Sequence, residues 1–246
     1  MQGVLDEFTR DLGSVYALLD FDLFIIDLPL KEIGDLKGYA EKHQLQIVQQ
    51  KADKLEKLLS GIRKHGSTKL SYETIYNQCI VLSVSYFAAT LENLFEYCIE
   101  SAVKDGSVDT LLNKELKLRV KDMCALGSNP LSQVGEFLIT SNNISFQDMQ
   151  SICRAFKEFL RIEIVKDELA NDIILSQAAR HIIVHNGAVI NSRFTNQIAS
   201  AEPRTVKSQI PTSGKLRFSK DEVIHVGKRM ESFVRQLIGN LLQYQR

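Results

Sequence analysis

Residues 179–187 read ARHIIVHNG and end a long apolar helix pattern. Helix-forming and apolar residues precede them from Leu169 onward. Asn186 and Gly187 then supply the residue types that most readily adopt the left-handed conformation found at helix ends. We therefore expect a helix over about 166–185, with Arg180 in its last full turn and His185 at its end.

Arg180 and His185 are the two residues of this stretch with the clearest chemistry. A guanidinium is always cationic and an imidazole titrates near neutral pH, so the pair can bind a phosphate and move a proton beside it. Residues five apart point about 140° away from each other on an ideal helix. The two side chains therefore meet one ligand only if the helix ends between them or if a second copy of the chain supplies one of them.

Helical periodicity continues on both sides of this stretch, and strand patterns are almost absent. The segment 71–103 is apolar on nearly all sides from Ile80 to Leu91 and predicts a central helix. Lys215 to Phe218 alternates and predicts at most a short extended edge. The expected fold class is an all-α bundle. We expect helices at about 3–28, 39–64, 71–103, 107–126, 130–139, 145–160, 166–185, 188–200 and 219–244.

Charge is distributed unevenly along a chain whose net charge is zero. Residues 176–246 carry eleven Lys and Arg against four Asp and Glu, a net of +7, and the remainder carries −7. The basic part contains the Arg180–His185 stretch, as a phosphate-rich ligand requires, although a segregated surface serves self-association equally well.

Other sequence features argue for a soluble protein of the cytoplasm. The start of the chain lacks a basic region of the kind found in secretory signals, and we expect no membrane span. The cysteines are Cys79, Cys98, Cys124 and Cys153, and they form no CxxC pair. We therefore expect reduced thiols, and neither a metal nor another cofactor.

The sequence resembles the HEPN superfamily, particularly its RiboL-PSP-like, stand-alone bacterial branches. The resemblance is carried by Arg180-x4-His185 followed by Asn186, by the Leu91-Glu92 step on the earlier apolar helix, and by the terminal amphipathic helix after a loop containing glycine. It covers about 72–246 as a HEPN-like domain. Residues 1–66 are then an N-terminal helical extension, possibly a hairpin.

The resemblance implies a metal-independent endoribonuclease that acts as a homodimer with a composite active site. His185 is then the general acid or base at a ribose 2′-OH, and Arg180 holds the scissile phosphate. Cleavage leaves a 2′,3′-cyclic phosphate. Asn186 helps to position the backbone or the phosphate, and Glu92 orients Arg180. The further RNA contacts that we predict are His181, Arg193, Lys215 and Arg217.

Two positions depart from the family pattern. His181 stands where the family commonly has Asn, which adds a second titratable group whose role is open. Gly187 stands where the branch paired with small nucleotidyltransferases has Tyr, which argues against that pairing.

Simpler interpretations of the same residues also exist. His185 can be a core or helix-capping histidine, Arg180 a cation at a helix end, and Glu92 part of a solvated acidic row with Glu96. His181 and His185 are spaced as two metal ligands on one helix face, but no third ligand is well placed.

The resemblance makes a toxin or antiviral effector the first hypothesis, with RNA as substrate and an antitoxin, sensor or activator protein as a possible partner. The alternative is a non-catalytic helical module for dimerisation or regulation, in which the acidic N-terminal helices form the docking face.

Overall fold

The computed structural model describes residues 1–20, 23–64, 66–106 and 133–244, and these are all-helical, as predicted. The expected helix at 107–126, the first residues of the expected helix at 130–139 and Cys124 lie outside the described residues. A π-helical segment spans Leu23–Asp27. The helices in chain order are α1 (Gln2–Leu19), α2 (Leu28–Lys42), α3 (Gln46–Lys64), α4 (Gly66–Asp105), α5 (Val134–Ser141), α6 (Met149–Leu160), α7 (Glu168–Asn186), α8 (Ser192–Ile198) and α9 (Lys220–Tyr244).

Helix α4 is the centre of the bundle. Its aromatic residues Phe87 and Phe95 are fully buried, and α1, α7 and α9 pack around it. Phe87 contacts Phe8 of α1 and Phe233 of α9, with ring centroids 6.2 and 5.6 Å away. The apolar segment that predicts a central helix is therefore the core helix of the fold.

Part of α4 is long and apolar enough to cross a membrane, judged by length and composition alone. Tyr72–Asp105 has a mean hydropathy of 1.2 in its most apolar window, and 56% of that window is buried inside the protein. Core helices of soluble proteins have the same properties.

The N-terminal helices have different boundaries from those that we expected. Helix α1 ends at Leu19, and the break that we expected between the helices at 3–28 and 39–64 falls inside α2, whose first turn contains Pro29. Proline is well tolerated there because the first backbone N–H groups of a helix have no intrahelical acceptor. The expected second helix is in fact two helices, α2 and α3, separated where Gln44 adopts a positive φ of 54°.

A hairpin exists at the N-terminal end of the chain, but it joins α2 to α3. Lys37 of α2 lies 2.7 Å from a carboxylate oxygen of Asp53 and 2.7 Å from one of Glu56, both on α3. Helix α1 instead buries Leu5, Phe8 and Leu12 in the same core as α4 and α9.

Side-chain caps fix several helix starts. Asp148 caps α6 by accepting a hydrogen bond from the Ser151 N–H at 3.0 Å, so this helix begins at Met149 and not at the expected residue 145. Ser219 and Glu222 form a reciprocal capping box at the start of α9, with bonds of 2.8 and 3.2 Å.

A buried polar contact of the fold is centred on Asp172, in the N-terminal half of α7. Its side chain is 1% exposed. The carboxylate accepts hydrogen bonds from the Thr205 N–H (2.9 Å), the Thr205 hydroxyl (2.6 Å), the Val206 N–H (2.9 Å) and the Arg229 Nε (2.8 Å). It thereby joins α7 to the long loop after α8 and to α9.

We expect Asp172→Ala to lower the free energy of unfolding by about 3–5 kcal/mol, because it leaves a part-buried guanidinium nitrogen and two backbone N–H groups without their acceptor. Urea denaturation followed by circular dichroism measures the change.

The matched control is Glu168→Ala, which removes the half-exposed second partner of Arg229, 3.0 Å away. An exposed pair contributes less than about 1 kcal/mol. Equal losses in the two variants would contradict a special role for the buried carboxylate.

Candidate functional site

Helix α7 ends where the sequence predicts. It runs to Asn186, and Gly187 adopts the left-handed conformation with φ of 55°. The Ala188 N–H then donates to the Ile182 carbonyl at 2.9 Å, which closes the last turn.

Asn186 holds the chain as it leaves the helix. Its side-chain amide donates to the Val189 carbonyl at 2.8 Å. Val189 forms an isolated antiparallel bridge with Lys215, and the Leu216 N–H donates to the Ala188 carbonyl at 2.8 Å. The expected extended edge at 215–218 is therefore a single bridge, and Asn186 positions the backbone that forms it.

His181 and His185 lie together on one face of the last turns of α7. Their ring centroids are 4.8 Å apart with an interplanar angle of 49°. His181 is half-buried and His185 is exposed to solvent. Residues four apart are neighbours on a helix surface, which explains the contact.

The surroundings of His181 are basic. Burial of the ring lowers the pKa of His181 below its ordinary value of 6.5, and the positive charges of Arg193, His185 and Arg180 lower it further. Arg193 lies at the start of α8, which Asn191 fixes by accepting a hydrogen bond from the Phe194 N–H at 2.9 Å. The predicted residues Arg180, His181, His185 and Arg193 are thus brought together by two helices.

Arg180 has an incompletely satisfied side chain. It is half-buried, and its Nε is buried with no hydrogen-bond partner among the described residues. A buried guanidinium nitrogen without an acceptor is unfavourable in the free protein. An anion that reached the remaining nitrogens would compensate part of that cost, so Arg180 is a candidate phosphate ligand.

Glu92 is exposed on α4, and no hydrogen bond or ion pair among the described residues joins it to Arg180. Its role of orienting Arg180 therefore stays a prediction. The pKa of Glu96 is raised by burial and then by the negative charge of Glu92.

Lys215 and Arg217 border a groove beside the end of α7. The groove has a volume of about 370 Å³, and the side chains of Asn77 and Gln78 on α4 form its opposite wall, next to Gly187. The Nε of Arg217 lies 3.2 Å from a carboxylate oxygen of Glu73. The groove is therefore lined by two cations, by the carboxylate of Glu73 and by two amides.

The part of the chain that the structure describes contains no group of three or more His, Cys, Asp or Glu able to hold a metal ion. His181 and His185 are close but have no third ligand among those residues.

Sequence reasoning missed the Asp172 contact, which sets the loop between α8 and α9 and hence supports the bridge at Lys215. One signal was present, because Asn171 and Asp172 are polar residues within a mostly apolar helix pattern. Its partners Thr205 and Arg229 are 33 and 57 residues away, and no local pattern indicates them.

Comparison of the chain with models of known protein families, with curated proteins and with solved structures finds no match. The function proposed below therefore depends on the residues and their geometry.

Arg193→Gln should raise the pKa of His181, because Arg193 is the neighbouring charge that lowers this pKa most. Without it, the protonated form of the ring is less unfavourable. The titration of the ring protons by NMR measures the pKa. Lys215→Gln is the control, since Lys215 is not among the charges that act on His181. An equal pKa in wild type and Arg193→Gln would contradict this account of the basic cluster.

Proposed function

We propose that this chain is a metal-independent endoribonuclease of the HEPN type. The observation that carries the proposal is the cluster at the end of α7, where the imidazole rings of His181 and His185 are in contact and the positive charges of Arg180 and Arg193 act on His181. Imidazoles transfer protons near neutral pH, and guanidinium groups bind phosphate. Both are required for cleavage of a phosphodiester.

In this proposal the 2′-hydroxyl of one ribose attacks the adjacent phosphorus, and the 5′-oxygen of the next nucleotide leaves. Arg180, assisted by Arg193, stabilises the charge on the phosphorane, and His185 takes part in proton transfer. The products are a 2′,3′-cyclic phosphate and a 5′-hydroxyl. DNA is not a substrate because it has no 2′-hydroxyl.

The proposed path of the RNA continues from the cluster into the groove beside Gly187. Lys215 and Arg217 are exposed there and suit backbone phosphates. Asn77 and Gln78 can hydrogen-bond a base that is not paired. The substrate we propose is therefore single-stranded RNA.

Purified protein should cut labelled single-stranded RNA in EDTA, and His185→Ala and Arg180→Ala should each reduce the rate by about 10²-fold or more. Analysis of the product ends should show 2′,3′-cyclic phosphates.

Lys228→Ala on α9 is the control for Arg180→Ala, because it also removes one positive charge. Cutting that stops in EDTA would replace this mechanism with a metal-dependent one at the two histidines. If folded wild-type protein does not cut the RNA, the proposed ribonuclease function is wrong.

Lys215→Ala should raise KM for RNA several-fold with kcat nearly unchanged, since a backbone phosphate contact is made equally in the ground and transition states. The dependence of the rate on salt concentration should also become less steep. Steady-state kinetics at two salt concentrations measure both effects. A loss confined to kcat would instead place Lys215 in the reacting cluster.

We further propose that two copies of the chain assemble with their α7 ends facing each other, and that the protein acts in the cytoplasm as a toxin or antiviral effector. Expression in a host cell should then be toxic for wild type and harmless for His185→Ala at equal protein level. Absence of toxicity for both wild type and His185→Ala would favour the second candidate function.

That second candidate is a non-catalytic module that binds another protein. It is favoured by the α2–α3 region, because ten of the sixteen exposed large apolar side chains among the described residues lie between Phe24 and Ile62. Exposed apolar patches of this kind mark interaction surfaces. An antitoxin, sensor or activator protein is the type of partner that we propose for this surface. A ribonuclease that is regulated by such a partner combines both functions.

A further inference from the structure

We propose that His181 is the general base and His185 the general acid of the cleavage reaction, and that both belong to the same chain. This assignment rests on the proposed ribonuclease function and adds a second catalytic residue to it. It also assigns a role to His181.

The geometry of the two rings fits this division of roles. Proton transfer needs a ring nitrogen within about 2.6–3.2 Å of each reacting oxygen. The attacking 2′-oxygen and the leaving 5′-oxygen lie on opposite sides of one phosphorus atom. Two tilted rings with centroids 4.8 Å apart are far enough from each other for each to reach one of these oxygens.

The surroundings of the rings decide which one is the base. His181 is half-buried, and the groups that act on it are Arg193 from α8 and Arg180 and His185 from its own helix, all of them basic. These charges lower the pKa of His181, so its ring is neutral and able to accept a proton at neutral pH. His185 extends into solvent at the end of α7.

The proton balance of the step is complete without another reactant. Neutral His181 takes the proton of the 2′-hydroxyl while the new bond from that oxygen to phosphorus forms. Protonated His185 gives its proton to the 5′-oxygen as the bond from phosphorus to that oxygen breaks. His181 is then protonated and His185 neutral, and exchange with water restores the starting forms.

A substrate with sulfur in place of the bridging 5′-oxygen tests the two roles separately. A thiolate leaves without being protonated, so the sulfur substrate does not need a general acid. With normal RNA, His181→Ala and His185→Ala should each lose about 10²–10⁴-fold in rate. With the sulfur substrate, His185→Ala should approach the wild-type rate, and His181→Ala should remain slow.

Other patterns overturn the assignment. Recovery of His181→Ala on the sulfur substrate shows that His181 is not the base, and failure of His185→Ala to recover shows that His185 is not the acid. Wild-type rates for the conservative variant His181→Asn on normal RNA also exclude His181 from catalysis, while the ribonuclease proposal survives. If wild type cuts neither substrate, the proposed function itself fails.

The pH dependence gives an independent readout. In wild type the rate should fall at low pH as His181 becomes protonated, and this fall should lie below pH 6.5, the ordinary value for the ring. The residual rate of His181→Asn should not show this fall at low pH. An unchanged acidic limb would contradict the role of His181 as base.

Placement of both histidines in one chain is tested by mixing. His181→Ala and His185→Ala chains produced together form mixed assemblies in which each chain lacks one histidine, so we expect no recovery of activity. Recovery to a sizeable fraction of the wild-type rate would show that the base and the acid come from different chains.

Discussion

The buried carboxylate of Asp172 is the contact on which the C-terminal part of the structure depends. It satisfies two backbone N–H groups, one hydroxyl and one guanidinium nitrogen inside the protein. Those donors belong to the loop after α8 and to α9, so one side chain of α7 fixes both. Because a carboxylate in such a position is favourable only when its partners are all in place, the three segments must adopt their positions together.

The candidate site lies at the other end of the same helix and is built from weaker contacts. A left-handed Gly187, the Asn186 amide and one β-bridge turn the chain back toward α7. Arg193 reaches the cluster because α8 begins shortly after that turn. The concentration of positive charge around His181 therefore follows from the connection between α7 and α8.

Features encoded locally were predictable from the sequence. Apolar periodicity predicted the central helix around Phe87, and Asn186-Gly187 predicted the end of α7. The same reasoning failed at Pro29, because a proline in the first turn of a helix and a proline in a break look alike without knowledge of the neighbouring helices. The partners of Asp172 are distant in the chain and could not have been inferred.

Helix α7 carries the residue that stabilises the fold, Asp172, and the histidines of the candidate site at different ends. In many proteins the same residues serve both stability and chemistry. Asp172 and His185 are thirteen residues apart, about 20 Å along the axis, and they share no contact in the described structure. Residues that carry chemistry are often held in strained or unfavourable surroundings that reduce stability. Here His181 is half-buried and His185 is exposed, and both lie far from the buried carboxylate, so substitutions of the two histidines should leave the fold intact. Under the proposed function, the chain could gain or lose ribonuclease activity during evolution without first becoming unstable.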